Sequence, residues 1–185
     1  ENRMYRCLAT VLTLILTTQI GAQTGAGLPG TFLRLGAGTR AFGFGNAFTA
    51  IADDGSSVYW NPAGMARYNK LRLTASYVNY SLQRTQNFAG ITIPLFRNTA
   101  IGVNWFGIKT GGIEGRSFNT TLPDFTFSHN DHVLLFSVSQ TLSSLVSIGI
   151  NTKLLYQTQY QDHASGSGFD LSLIHISEPT RPVPI

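Results

Sequence analysis

Apolar and polar residues alternate along this chain in runs too long for an ordinary soluble sheet. Over 71–80, Leu71, Leu73, Ala75 and Tyr77 alternate with Arg72, Thr74 and Ser76. Over 86–95, Ala89, Ile91, Ile93 and Leu95 share one face, with Phe88, Gly90 and Thr92 on the other. Over 100–109, Ile101, Val103 and Trp105 stand against Gly102, Asn104 and Phe106. Over 146–156, Val146, Ile148, Ile150, Leu154 and Tyr156 stand against Ser147, Gly149, Asn151 and Lys153. A period of two puts successive side chains on opposite faces of a strand, so each run predicts a strand with one apolar and one polar face. These runs are about ten residues long, the length an outer-membrane strand needs, against about five or six in a globular sheet. Val133–Gln140 predicts a shorter strand whose apolar face is ambiguous.

Composition points the same way. Charged residues are 12% of the 185 residues and hydrophobic ones 43%, too little charge to wet a normal surface, where about 25% is usual. Disorder is excluded by the same balance. The formal charge of +4 is spread thinly, with no basic run, which speaks against nucleic-acid binding. The single cysteine is Cys7, so a disulfide framework or thiolate metal site has no residues to use. The polar faces hold Gly, Ser, Thr and Asn, and the apolar faces end in Tyr77, Trp105 and Tyr156, as an interfacial aromatic girdle would. The connections alternate: Phe96–Thr99 and Thr141–Leu145 are short, while Thr110–Asp131 and Gln157–Gly168 read as long loops. Short periplasmic turns and longer external loops are the barrel pattern, which makes Ser81–Thr85 external too. The fold class expected is therefore all-β: an antiparallel transmembrane β-barrel, of which 71–170 supplies about the first five strands. The alternative is a secreted β-sandwich binding module.

Both ends read as lying outside that fold. Residues 1–22 combine a basic start, a short apolar core and small residues at the exit, which describes a signal peptide cleaved after Ala22. Leu171–Arg181 closely resembles the in-frame translation of a sequencing-library adapter, so 171–185 is expected to be a non-native tail.

Residues 23–70 are of another kind. Thr31–Phe48 reads TFLRLGAGTRAFGFGNAF, an Ala52-Asp53-Asp54 turn follows, and Tyr59–Gly64 reads YWNPAG before the first strand opens at Leu71. Together these pieces resemble the amino-terminal region of PorV/PorQ-type proteins among the FadL-like outer-membrane barrels. The resemblance continues more weakly to Gly168-Phe169-Asp170. It implies a larger barrel with 23–70 as a plug inside the lumen. Gly43, Gly45, Asn61, Pro62 and Ala63 would form the plug motif, and Phe42, Phe44 and Phe48 an apolar lining for a hydrophobic ligand. Gly36, Gly38, Gly43 and Gly45 suit close packing or positive φ.

The same region offers other chemistry by spacing. Gly43-x-Gly45 begins a dinucleotide fingerprint, but Phe48 stands where the third glycine belongs. Asp53-Asp54-Gly55 has turn chemistry. His129-Asn130-Asp131-His132 reads as a solvated loop. No catalytic residues, metal ligands or cofactor are assigned, and the chain is not expected to be an enzyme. The expected setting is the cell outer membrane, with lipid as a partner. The resemblance implies two roles. One is type IX secretion or surface anchoring, with secreted cargo proteins or other secretion subunits as partners. The other is passive transport of hydrophobic small molecules. On the strand facing, Ile150→Arg should impair assembly and Asn151→Arg should be much milder.

Overall fold

The computed structural model describes residues 30–96, 98–119 and 121–175. The signal-peptide assignment, residues 23–29 of the plug assignment and most of the tail lie outside these residues. The fold is all-β. Six strands form one antiparallel sheet in sequence order: β1 (Arg72–Tyr80), β2 (Arg84–Phe96), β3 (Thr99–Gly115), β4 (Phe125–Thr141), β5 (Val146–Gln159) and β6 (Asp162–His175). Each strand pairs with the next, so the chain never crosses itself.

Residues 30–70 make short helical turns, Thr31–Leu35, Thr39–Gly43, Ser57–Trp60 and Pro62–Arg67, and Phe32, Val58 and Met65 from three of them pack on one face of the sheet. We call that face inner. Asn61 caps the Pro62–Arg67 turn: its side chain accepts from the Ala63 amide at 3.2 Å, and Pro62 takes the first position, where a missing N–H costs nothing. Gly36 and Gly38 adopt φ of 83° and 91°, conformations a side chain would resist.

The shared core lies between this segment and the inner wall. Phe32, Val58, Met65 and Tyr68 meet Phe88, Phe106, Val133 and Leu135 there. Phe32 stacks on Phe106 at 6.0 Å, and Tyr59 meets the same ring at 5.2 Å. This explains the ambiguity of Val133–Gln140. Val133 and Leu135 are buried inward while Leu134, Phe136 and Val138 are exposed outward, so both faces are apolar where the segment covers the wall.

Several expected boundaries are corrected. The Thr110–Asp131 connection is not a long loop: β3 and β4 continue to Gly115 and from Phe125, leaving 116–124. Gln157–Gly168 is not a loop either, because β5 and β6 join through residues 160–161. The sheet therefore has six strands rather than five. Gly-, Asn- and Ser-rich sequence hid these extensions, since it breaks the apolar alternation by which a strand is read. His129–His132 accordingly lies on β4, not in a loop. Leu171–His175, which open the expected tail, continue β6.

Candidate functional site

Two surfaces define what the molecule can do. The first is the outer face. Register aligns its residues into rows: Leu73, Ile91, Val103, Phe136, Thr152 and Phe169 form one, and Ile93, Ile101, Val138, Ile150 and Leu171 the next. These rows are open. Leu73 is 75% exposed, Phe169 76% and Leu171 74%. Toward the 116–124 end the rows become aromatic and polar, with Tyr77, Trp105, His132 and Tyr156; Trp105 stacks on His132 at 5.7 Å. The facing read from the alternation is the facing observed.

The second surface is the inner face, where polar residues are buried. Thr92, Asn104, Ser137, Ser139, Ser147 and Asn151 are each almost fully covered. Glycines make room for the covering segment. A Cβ on Gly149 would lie 2.6 Å from the Pro62 carbonyl carbon and 2.9 Å from Ala63 Cα. A Cβ on Gly102 would lie 2.9 Å from Met65 Sδ. Hydrogen bonds then fix the position. Asn151 Nδ2 donates to the Val58 carbonyl at 3.3 Å, Gln86 Nε2 to the Gly36 carbonyl at 3.0 Å, and the Ala63 amide to Ser172 Oγ at 3.1 Å. Lys153 and Asp170 pair at 2.7 Å on the same wall.

The residues singled out from the sequence fall into two groups. Asn61, Pro62 and Ala63 are buried at the contact with the wall, and Asn61 Nδ2 also donates to the Thr49 carbonyl at 3.0 Å. Gly43 and Gly45 are elsewhere: both are exposed, a Cβ on either would meet nothing within 4 Å, and only Gly45 has positive φ, 61°. Phe48 is buried within the segment, Phe42 is half-buried and Phe44 is exposed, with the Phe44 and Phe48 rings 6.2 Å apart. Asp54 Oδ1 accepts from the Ser56 amide and hydroxyl at 2.8 and 2.6 Å, and Asp53 pairs with Arg40, so the aspartates build a turn. Among the described residues no three His, Cys, Asp or Glu side chains gather as metal ligands would. His129 pairs with Asp131 at 2.9 Å on the inner side, while His132 points outward to Trp105.

Asn151 overturns one expectation. It is 0% exposed, accepts from Ser137 Oγ at 2.9 Å and donates to Val58. An arginine there would have no lumen to enter, so Asn151→Arg is not mild. Gly149 and Gly102 were seen only as members of polar faces. Glycine inside a strand often marks close backbone approach, and that signal was available.

Burial pushes the phenols of Tyr59 and Tyr68 above their ordinary value; at Tyr68 the hydroxyl contact with Ser57 pulls the other way. No helix among the described residues is long and apolar enough to cross a membrane, which says nothing about crossing with strands. No family model and no curated protein matches this chain.

Proposed function

We propose that this chain forms wall and internal plug of an outer-membrane β-barrel of the PorV/PorQ, FadL-like type, exported by a signal peptide and without enzymatic activity. The observation that carries this reading is the sheet's uncovered face: it is apolar and open, while the covered face carries buried Thr92, Asn104, Ser137, Ser139, Ser147 and Asn151 beside its core of Phe88, Phe106, Val133 and Leu135. In water that arrangement leaves a large apolar surface exposed, whereas lipid solvates it. At about 3.3 Å per residue, Val146 to Tyr156 spans about 33 Å, which at a tilt of about 40° projects to about 25 Å, the height of a barrel's apolar band. Edge strands β1 and β6 carry unpaired backbone groups that hydrocarbon does not tolerate, so the proposal requires further strands between them, up to at least about eight in total.

Of the two roles, handling or anchoring cargo proteins in type IX secretion fits better than passage of hydrophobic compounds. Phe48 is buried within the segment, Phe42 is half-buried and Phe44 is exposed, so the three rings do not present one continuous apolar lining. Electrophoresis in detergent tests the barrel. Unheated protein should migrate faster than heated protein. A monodisperse species that is soluble without detergent and indifferent to heating would overturn the proposal in favour of a secreted β-sandwich module.

A further inference from the structure

Where the amino-terminal segment runs into β1, it borders a cleft of about 460 Å³ whose lining includes Asp53, Gly64, Arg67, Tyr68 and Arg72. The volume falls within the roughly 300–1,000 Å³ of small-molecule sites. Contacts that do not use its charges hold the cleft in shape. A Cβ on Gly64 would lie 2.2 Å from the Ala52 carbonyl oxygen, so the Pro62–Arg67 turn sits directly on the chain before Asp53. Asn61 Nδ2 donates to the Thr49 carbonyl at 3.0 Å and ties the same two pieces together. Tyr68 is 6% exposed, and its hydroxyl meets Ser57 Oγ at 2.5 Å and donates to the Asp54 carbonyl. The Arg72 guanidinium lies over this fixed ring, 4.0 Å from its centroid, which sets its position by a cation–π contact.

Positive charge at the cleft is not matched by free carboxylate. Asp53 is the acidic residue of the lining, and Arg40 takes it with both guanidinium nitrogens. Asp54 Oδ2 lies 3.8 Å from the same Arg40, and its Oδ1 accepts from the Ser56 amide and hydroxyl. Among the described residues Arg67 has no ion-pair partner, and Arg72 donates only to the Asp53 backbone carbonyl, at 3.4 Å. Two guanidinium groups thus border one cleft with most of their donors unused. Each is a planar fork of N–H groups that matches paired oxygens. A carboxylate has oxygens for one such fork, whereas a phosphate group has oxygens for two.

We infer that this cleft binds a phosphate group, held between Arg67 and Arg72, with Tyr68 positioning Arg72. Soluble phosphates and lipid headgroups carry the same group. The test is calorimetry on the full chain in maltoside micelles, which contain no phosphate, with inorganic phosphate as the probe. Phosphate should bind saturably and more tightly than acetate. Arg67→Gln and Arg72→Gln should each weaken binding about tenfold or more by removing one charged fork. Both side chains are exposed, so neither replacement opens the core. Lys70→Gln is the control: it removes an exposed cation that lies between them in sequence but outside the lining, and binding should hold. Phosphatidylglycerol added to the micelles separates the sources: displacement of phosphate assigns the group to a lipid headgroup, and no displacement to a soluble phosphate. Absence of saturable phosphate binding by the folded chain, acetate binding as tightly, or an equal loss in Lys70→Gln would overturn the inference. The lining belongs to residues 50–72 alone, so this result stands apart from the heating assay that tests barrel closure.

Discussion

Replacing Gly149 by alanine should lift the 30–70 segment from the wall without melting the sheet. The added Cβ would sit 2.6 Å from the Pro62 carbonyl carbon and 2.9 Å from Ala63 Cα, against an optimum of about 3.5–4.0 Å for carbon atoms. Those atoms are backbone, so the turn must rise by about 1 Å. A rise of that size takes the Asn151–Val58 hydrogen bond, already 3.3 Å, past the usual limit, a loss of about 1 kcal/mol. Strain and poorer packing add about 1–3 kcal/mol. Restricting the unfolded glycine returns about 0.4–1 kcal/mol. The net cost is about 2 kcal/mol, which corresponds to about thirtyfold faster hydrogen exchange wherever the segment opens independently. Amide exchange by mass spectrometry in micelles reads this directly. Peptides covering 57–67 should speed up while those covering 100–108 and 133–139 should not. Gly168→Ala is the control, because its Cβ would meet only Lys153 Cβ at 4.0 Å. Unchanged exchange over 57–67 in Gly149→Ala would refute the packing account, as would equal acceleration throughout the sheet.

Other outcomes follow from the same geometry. Gly45→Ala should destabilise the segment by about 1 kcal/mol, because its φ is 61°, whereas Gly43→Ala, at an ordinary φ with open space around it, should be neutral or slightly stabilising in chemical denaturation. Tyr59 and Tyr68 have folded-state values above the ordinary one near 10, so the stability they confer is complete below about pH 10 and falls as pH rises beyond it. Tyr59→Phe should flatten part of that alkaline decline, followed by Trp60 fluorescence in a Trp105→Phe background. Ile150→Arg should lower the yield of protein assembled into vesicles by the about 2–4 kcal/mol of a lipid-facing arginine, and Asn151→Arg should also fail, through displacement of the segment.

Strand positions and facing were legible because period-two alternation is local, and β1, β2, β3 and β5 kept it over long runs. β4 was not, since Val133 and Leu135 serve a core built by residues far away in sequence, such as Phe32 and Val58. The ends of β3 to β6 were hidden for another reason: their alternation is broken by Gly, Ser, Thr and Asn, which look like loop, and the apolar residues among them, such as Phe125 and Phe127, stand isolated in sequence. In the amino-terminal segment, Asn61-Pro62 showed itself as a turn through its own local chemistry. The glycines were harder. Gly43 and Gly45 drew notice by spacing, yet Gly149 and Gly102, isolated in strands, hold the close contacts.

The chain's two tryptophans offer the most direct test of the membrane reading. Trp105 stands on the open apolar face and Trp60 in the covering segment, where its Nε1 donates to the Ala37 carbonyl at 2.7 Å. In vesicles whose acyl chains carry bromine, the account predicts strong quenching of Trp105 in a Trp60→Phe variant and little quenching of Trp60 in a Trp105→Phe variant. Trp105 fluorescence that ignores the brominated lipid, from protein shown to be folded, would contradict the claim that this face meets a bilayer.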